Sequence, residues 1–122
     1  MNNSTETKIG IVGACGRGKS FKAACDAVAG VHLHAVCDIN EKGLAEAAER
    51  LGAAEKYVNY ETMLKQSGVQ AVILGTPMPL HVPQAILALK RNIHVLSEVP
   101  AAVSLEESRE LVRACRKSKP YT

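Results

Sequence analysis

A regular alternation of short apolar runs with longer amphipathic segments is the feature that most constrains the fold. Apolar and β-branched residues predict strands at 8–12, 33–38, 56–58, 69–75 and 93–96. Helical spacing of apolar residues predicts helices at 18–29, 41–51, 60–66, 79–90 and 104–117. This alternation predicts an α/β protein with a doubly wound parallel sheet, whose ligand lies at the carboxyl ends of the strands.

Length and composition predict a single domain. The chain has 122 residues, of which 47% are apolar and 22% charged, enough for one core and too little for two. Residues 1–7 are polar and are predicted to be a disordered lead-in, which leaves 8–122 for the domain. The chain ends just after the last predicted helix, where a sheet of this type ordinarily adds a strand. We therefore expect a fragment of a longer protein.

Charge and cysteine usage limit the partners. The net charge of +3 is spread along the chain and aromatic residues make up 3%, which argues against nucleic acid. No apolar stretch approaches a membrane span, so no membrane partner is expected. The four cysteines are scattered without a Cys-x-x-Cys pair, which favours free thiols in the cytoplasm over disulfides or a metal site.

The glycine-rich loop after the first predicted strand, "GACGRGKS", matches two nucleotide-binding patterns. Gly13-x-x-x-x-Gly18-Lys19-Ser20 fits a P-loop, in which backbone N–H groups surround the phosphates of a nucleoside triphosphate. Gly13 and Gly18 also fit the outer glycines of a dinucleotide-binding turn, with Cys15 in place of the middle glycine. The loop alone leaves both interpretations open.

The second predicted strand ends in Asp38, twenty residues after Gly18. A carboxylate at this place in a dinucleotide-binding fold accepts hydrogen bonds from the adenosine ribose. The alternative is that Asp38 caps the helix that follows, since Asp is favoured at helix N-termini. A P-loop protein could use Asp38 to hold magnesium, but that interpretation does not explain the loops after the fourth and fifth strands.

Those two loops read "GTPMPLH" at 75–81 and "SEVPAA" at 97–102. Together with "VGACGRG" and "VCD", in this order and at strand ends, they resemble the Gfo/Idh/MocA oxidoreductases, the glucose-fructose oxidoreductase and inositol dehydrogenase family. The resemblance runs from Lys8 onward and covers only that family's amino-terminal NAD(P)-binding Rossmann domain. It implies that the substrate domain is absent from this chain.

The resemblance implies a set of dinucleotide contacts. The glycines of the turn would let the backbone approach the pyrophosphate, and Asp38 would hold the adenosine ribose and favour NAD over NADP by repelling a 2′-phosphate. Thr76, Pro77 and His81 would lie beside the nicotinamide half, and Glu98 would contact its ribose. The predicted cofactor-binding residues are Gly13, Cys15, Gly16, Arg17, Gly18, Asp38, Asn40, Thr76, Pro77, His81 and Glu98.

Simpler explanations exist for some of these residues. His81 could be a histidine satisfied locally at the start of a helix, and Thr76 and Pro77 could serve ordinary turn geometry. Cys15 is expected to place its side chain in the space that the pyrophosphate contact needs. Its thiol is either passive or, at a helix N-terminus, has a lowered pKa.

Two further positions depart from the family pattern. Met78 replaces the usual asparagine, and Val99 stands where the Glu-Lys-Pro loop of the family has a lysine near the transferred hydride. We therefore predict no catalytic residue in this chain, and no activity of the chain alone.

The expected function of the parent is NAD-dependent oxidation or reduction of a secondary alcohol on a sugar or cyclitol. A second domain would bind that substrate, and assembly into a homo-oligomer stays open. The alternatives are an NAD-dependent glycosidase parent and a non-catalytic dinucleotide-binding module.

Overall fold

The computed structural model describes residues 6–120 and residue 122. Five parallel strands form one sheet in the order β3-β2-β1-β4-β5, which confirms the predicted architecture. The strands are β1 (Thr7–Val12), β2 (Val31–Cys37), β3 (Glu55–Tyr57), β4 (Ala71–Leu74) and β5 (His94–Ser97). Residues 1–5 of the predicted lead-in lie outside the described residues. The first strand begins at Thr7, one residue earlier than predicted.

Helices cover both faces of the sheet. They are α1 (Lys22–Ala27), α2 (Glu41–Leu51), α3 (Tyr60–Gln66), α4 (His81–Lys90) and α5 (Leu105–Lys117). On one face α1 and α2 pack through Cys25 and Leu44 onto Ile11 and Ile73. On the other, α3 and α4 pack through residues such as Met63 and Leu89, and α5 adds partly buried residues at the margin.

The central strands β1 and β4 are covered on both faces, which explains their continuous apolar sequence. Ile11 and Val72 are completely buried and point to opposite sides of the sheet. Burying a side chain such as Ile11 contributes about 1.5–3 kcal/mol to folding.

The predicted helices at 18–29 and 79–90 were wrong in their first turns. A 3-10 helix (Arg17–Phe21) precedes α1, and a second 3-10 helix (Met78–Leu80) precedes α4. In the first, the Gly18 N–H donates to Gly13 O and the Ser20 hydroxyl donates to Arg17 O, so local bonds tighten the turn. Gly18, which lies in this segment, also weakens the α-helical alternative.

The predicted bounds of α2 and α3 are confirmed. Gly52, with φ of 70°, ends α2 in a left-handed conformation that glycine adopts readily. The Ser104 side chain caps α5 by accepting the Glu107 N–H at 3.1 Å. The Glu107 carboxylate accepts from Val103 N at 3.1 Å, one residue earlier than in a standard capping box.

Candidate functional site

A cleft of about 440 Å³ opens at the carboxyl ends of the strands. It lies beside β1 and β4, where the crossover connections change direction and parallel α/β sheets bind their ligands. Six of the residues predicted from the sequence line this cleft: Gly13, Gly16, Arg17, Asp38, Thr76 and Pro77.

The three glycines of the turn after β1 differ in how much space surrounds the position of a Cβ atom. Gly13 has a φ of 82°, and a Cβ there would stand 2.7 Å from Gly75 O. A Cβ on Gly18 would stand 2.6 Å from the Ile11 Cγ2 and 2.8 Å from Gly13 O. At Gly16, by contrast, the nearest atom to a Cβ is Gly13 O at 4.0 Å. Gly13 and Gly18 therefore allow close packing of the turn, while Gly16 leaves open space beside the cleft.

The side chain of Cys15 points away from the cleft. Its Sγ lies 3.8 Å from Asn40 O and would be 3.2 Å from a Cβ on Gly43, in a separate hollow of about 150 Å³ between the turn and α2. The prediction that Cys15 fills the pyrophosphate space was therefore wrong, because the missing Cβ of Gly43 gives the thiol room on the other side.

The surroundings of the Cys15 thiol favour its protonated form. Burial raises its pKa, and the nearby Asp38 carboxylate raises it further. This excludes the alternative of a lowered pKa, because neither influence favours a thiolate. All four cysteines are free thiols.

Asp38 lies in the cleft at the end of β2, with its carboxylate held by the backbone. Its Oδ2 accepts the Cys15 N–H at 2.8 Å, and its Oδ1 accepts the Asn40 N–H at 2.9 Å. The cap of α2 is Asn40, whose side chain accepts the Gly43 N–H at 3.1 Å. The alternative of Asp38 as the helix cap was therefore wrong. Each carboxylate oxygen retains a lone pair for a further donor.

Arg17 and Glu98 form an ion pair that links the turn after β1 to the loop after β5. The Arg17 side chain is 62% exposed and its guanidinium lies 5.9 Å from the centroid of the Phe21 ring. Glu98 also accepts the Val99 N–H at 3.1 Å. The hydrogen bond from Arg17, and after it that from Val99, hold the pKa of Glu98 below its usual range. Glu98 is therefore a fixed carboxylate beside the turn.

His81 is 1% exposed and is bound on both sides of its ring. Nδ1 lies 2.8 Å from Pro100 O, and Nε2 lies 2.8 Å from Thr76 O. Both ring nitrogens have local backbone partners, as the simpler explanation expected, and a direct nicotinamide contact stays a prediction. The Thr76 hydroxyl donates to the Gln84 Oε1 at 2.6 Å, which fixes the loop after β4.

Six further residues line the cleft that were not predicted from the sequence: Ile39, Val58, Tyr60, Gly75, Leu80 and Gln84. Ile39 is 93% exposed and directly follows Asp38, a placement that could have marked it as a ligand contact. The Tyr60 hydroxyl donates to Gln84 O at 2.7 Å, and burial raises the pKa of that hydroxyl. No sequence signal indicated that Tyr60 or Gln84 faces the cleft.

Gly75 has the same structural role as the glycines of the turn. A Cβ there would stand 2.7 Å from Gly18 N and 2.8 Å from Gly18 Cα. The turn after β1 and the end of β4 therefore touch backbone to backbone.

Lys19 and Ser20, the two residues specific to a P-loop, make other local contacts in this structure. The Ser20 hydroxyl donates to Arg17 O at 2.8 Å, and Lys19 lines the small hollow beside Cys15. Within residues 6–120 and 122, no three acidic, histidine or cysteine residues are grouped to hold a metal ion. No helix in this described part has the length and hydropathy needed to cross a membrane.

Comparison with known proteins separates the two nucleotide-binding interpretations. Residues 7–121 match the family model Gfo/Idh/MocA, described as an oxidoreductase family with an NAD-binding Rossmann fold. A glycosyl hydrolase family 109 protein from Solibacter usitatus is 34% identical over 116 residues, covering 86% of this chain and 26% of the relative.

Solved structures agree with this match. The WlbA dehydrogenase from Chromobacterium violaceum, in complex with NADH and UDP-GlcNAcA, superposes with a TM-score of 0.88 at 33% identity, over 97% of this chain and 35% of that chain. The scyllo-inositol dehydrogenase from Lactobacillus casei, with bound NAD(H) and scyllo-inositol, gives 0.84 at 26% identity, over 92% and 33%.

This chain spans about a quarter of the length of the curated relative and about a third of these solved chains. The match to the NAD-binding domain favours the dinucleotide-binding interpretation over the P-loop, and the roles of the individual turn residues stay predictions. The chain belongs to the Gfo/Idh/MocA oxidoreductase family, of which it carries the NAD-binding Rossmann domain.

Proposed function

We propose that the cleft binds NAD with its adenosine ribose on Asp38, its pyrophosphate at the turn from Gly13 to Gly18, and its nicotinamide ribose near Glu98. The observation that carries this assignment is the Asp38 carboxylate, which two backbone N–H groups hold at the mouth of the cleft. The turn fits the pyrophosphate because the open side of Gly16 leaves room for close approach to the backbone.

In this proposal Asp38 also favours NAD over NADP. A 2′-phosphate would bring negative charge against this carboxylate and would lose the hydrogen bonds of the free ribose diol. Ile39, next to it and 93% exposed, offers an apolar surface on which the adenine ring can pack.

The parent reaction in this proposal is hydride transfer between NAD and a secondary alcohol of a sugar or cyclitol. NAD supplies the hydride acceptor, and the residues of this chain bind the cofactor and orient it. A second domain supplies the substrate site and the acid-base group, since Val99 has no proton to exchange. The chain alone is then inactive, the protein is cytoplasmic, and any homo-oligomer depends on the rest of the parent.

A second candidate is NAD-dependent glycoside cleavage, in which transient oxidation of the sugar allows elimination of the leaving group. It is favoured by the glycosyl hydrolase family 109 relative at 34% identity. A third candidate is a non-catalytic dinucleotide-binding module, which Val99 supports because it stands where the family has a lysine expected of alcohol oxidation. Turnover of the full-length parent on a panel of sugars and glycosides decides among the three.

Direct titration with cofactor tests the binding proposal. The chain has no tryptophan, so the emission of NADH can be followed without interference from indole. We expect NADH to bind, Asp38→Asn to weaken that binding, and His32→Gln, a change on β2 outside the cleft, to leave it intact. ATP with magnesium should bind no better than ADP alone. Binding of magnesium–ATP without any response to NADH would contradict the proposal.

A further inference from the structure

The buried ring of His81 connects two loops that border the proposed nicotinamide site. Its Nε2 lies 2.8 Å from Thr76 O in the loop after β4, and its Nδ1 lies 2.8 Å from Pro100 O in the loop after β5. The ring is 1% exposed, so water does not replace either contact. Both loops therefore depend on the same side chain for their relative position.

The chemistry of the two partners restricts the protonation of the ring. A backbone carbonyl oxygen can only accept a hydrogen bond, and a neutral imidazole has one N–H and one lone pair. One of the two 2.8 Å contacts would then bring a lone pair against a carbonyl oxygen. Only the doubly protonated ring supplies a donor to both Thr76 and Pro100.

The charge that this protonation creates has a nearby counter-charge. Glu98, in the same loop as Pro100, interacts electrostatically with His81, and this interaction contributes to the lowered pKa of the Glu98 carboxyl. Arg17, from the turn after β1, pairs with Glu98 on its other side and is the second charged group of this cluster. Glu98 therefore interacts with both Arg17 and His81.

We infer that His81 is a positioning residue that holds the loops after β4 and β5 together only while its ring is doubly protonated. The inference rests on the proposed function, because the two loops carry Thr76 and Glu98, the proposed contacts of the nicotinamide half. Loss of the proton removes one of the two donors and releases one loop. Binding of the nicotinamide half of NADH then weakens at high pH, while binding of ADP, which has no nicotinamide ribose, does not.

Nitrogen-15 NMR of the histidine side chains measures the protonation directly. We expect both ring nitrogens of His81 to be protonated at the pH where NADH binds well, with a titration midpoint observable on raising the pH. The His81→Gln spectrum assigns the resonance. A ring with one unprotonated nitrogen throughout the NADH-binding range overturns the inference, whether or not the variant folds.

Ligand titration against pH gives the functional readout. In the wild-type chain the ratio of NADH to ADP affinity should fall roughly tenfold across the midpoint, as expected for loss of one charge-assisted hydrogen bond. His81→Gln should give a low ratio that does not change with pH, and the control His32→Gln should behave as wild type. A purely structural role would instead weaken both ligands in parallel, and would overturn the inference. Failure to bind either ligand at any pH contradicts the proposed function, while the NMR result still decides the state of His81.

Discussion

Replacing Gly18 by alanine tests how the turn after β1 is packed. The new Cβ would stand 2.6 Å from the Ile11 Cγ2 and 2.8 Å from Gly13 O. Ile11 is completely buried and Gly13 O accepts the N–H groups of Gly16 and Gly18, so neither neighbour can move freely. Forcing one extra methyl into such a site costs about 1–3 kcal/mol. The better helix propensity of alanine returns at most about 1 kcal/mol.

We therefore expect Gly18→Ala to lower the free energy of unfolding by about 1–2 kcal/mol net. For a domain of this size that loss corresponds to a decrease in Tm of roughly 4–8 °C. Circular dichroism at 222 nm during thermal and urea unfolding measures both quantities. The absence of tryptophan makes it a better probe here than intrinsic fluorescence.

Gly16→Ala is the matched control, since it adds the same methyl two residues away. Its Cβ meets no atom closer than Gly13 O at 4.0 Å, so the Tm should stay close to that of the wild type. The methyl enters the open space beside the cleft, and NADH affinity should fall. Equal stability of Gly18→Ala and the wild type, or a larger stability loss for Gly16→Ala than for Gly18→Ala, would refute this account of the turn.

Three further predictions concern the charges and the thiol. Asp38→Asn should lower NADH affinity about tenfold while NADPH affinity holds or rises, because a charge-assisted hydrogen bond and a repulsion are both lost; an equal loss for both cofactors would contradict the ribose role. Iodoacetamide should alkylate Cys15 slowly at pH 7 and faster as the pH rises, in agreement with the raised pKa of its thiol. Rapid labelling at pH 7 argues against a passive thiol. Cys15→Ser should retain NADH binding. Glu98→Gln should strengthen ADP binding by freeing Arg17, and this effect should vanish in an Arg17→Gln background. Because the Glu98 pKa is lowered, wild-type ADP affinity should also rise when acid protonates Glu98. Additive effects of the two substitutions in the double variant would disprove a competing ion pair.

The strand and helix pattern was readable from the sequence because parallel strands covered on both faces leave uninterrupted apolar runs. The end of α2 was also predictable, since Gly52 favours a helix C-terminus for a local reason. Local rules failed where distant backbone segments meet. In the 3-10 segment after the turn, Gly18 packs against Gly75, a contact that no short window of the sequence contains.

The candidate site also has some features that the sequence predicted and others that it did not. The order of the loops identified the dinucleotide-binding family and placed Asp38 at the end of β2, because the type and position of those residues follow from the strand ends. The orientation of side chains did not follow. Cys15 turns away from the cleft because Gly43, twenty-eight positions later, leaves it space.

Residue type and spacing were enough to predict the sheet, its ligand-binding edge and the class of cofactor. The three-dimensional contacts were needed to show that Asn40 caps α2 in place of Asp38, that Arg17 pairs with Glu98, and that His81 binds two loops. The physical reason is that hydrogen bonds and steric contacts depend on distances between chain segments, and those distances are set only when the sheet brings its strand ends together.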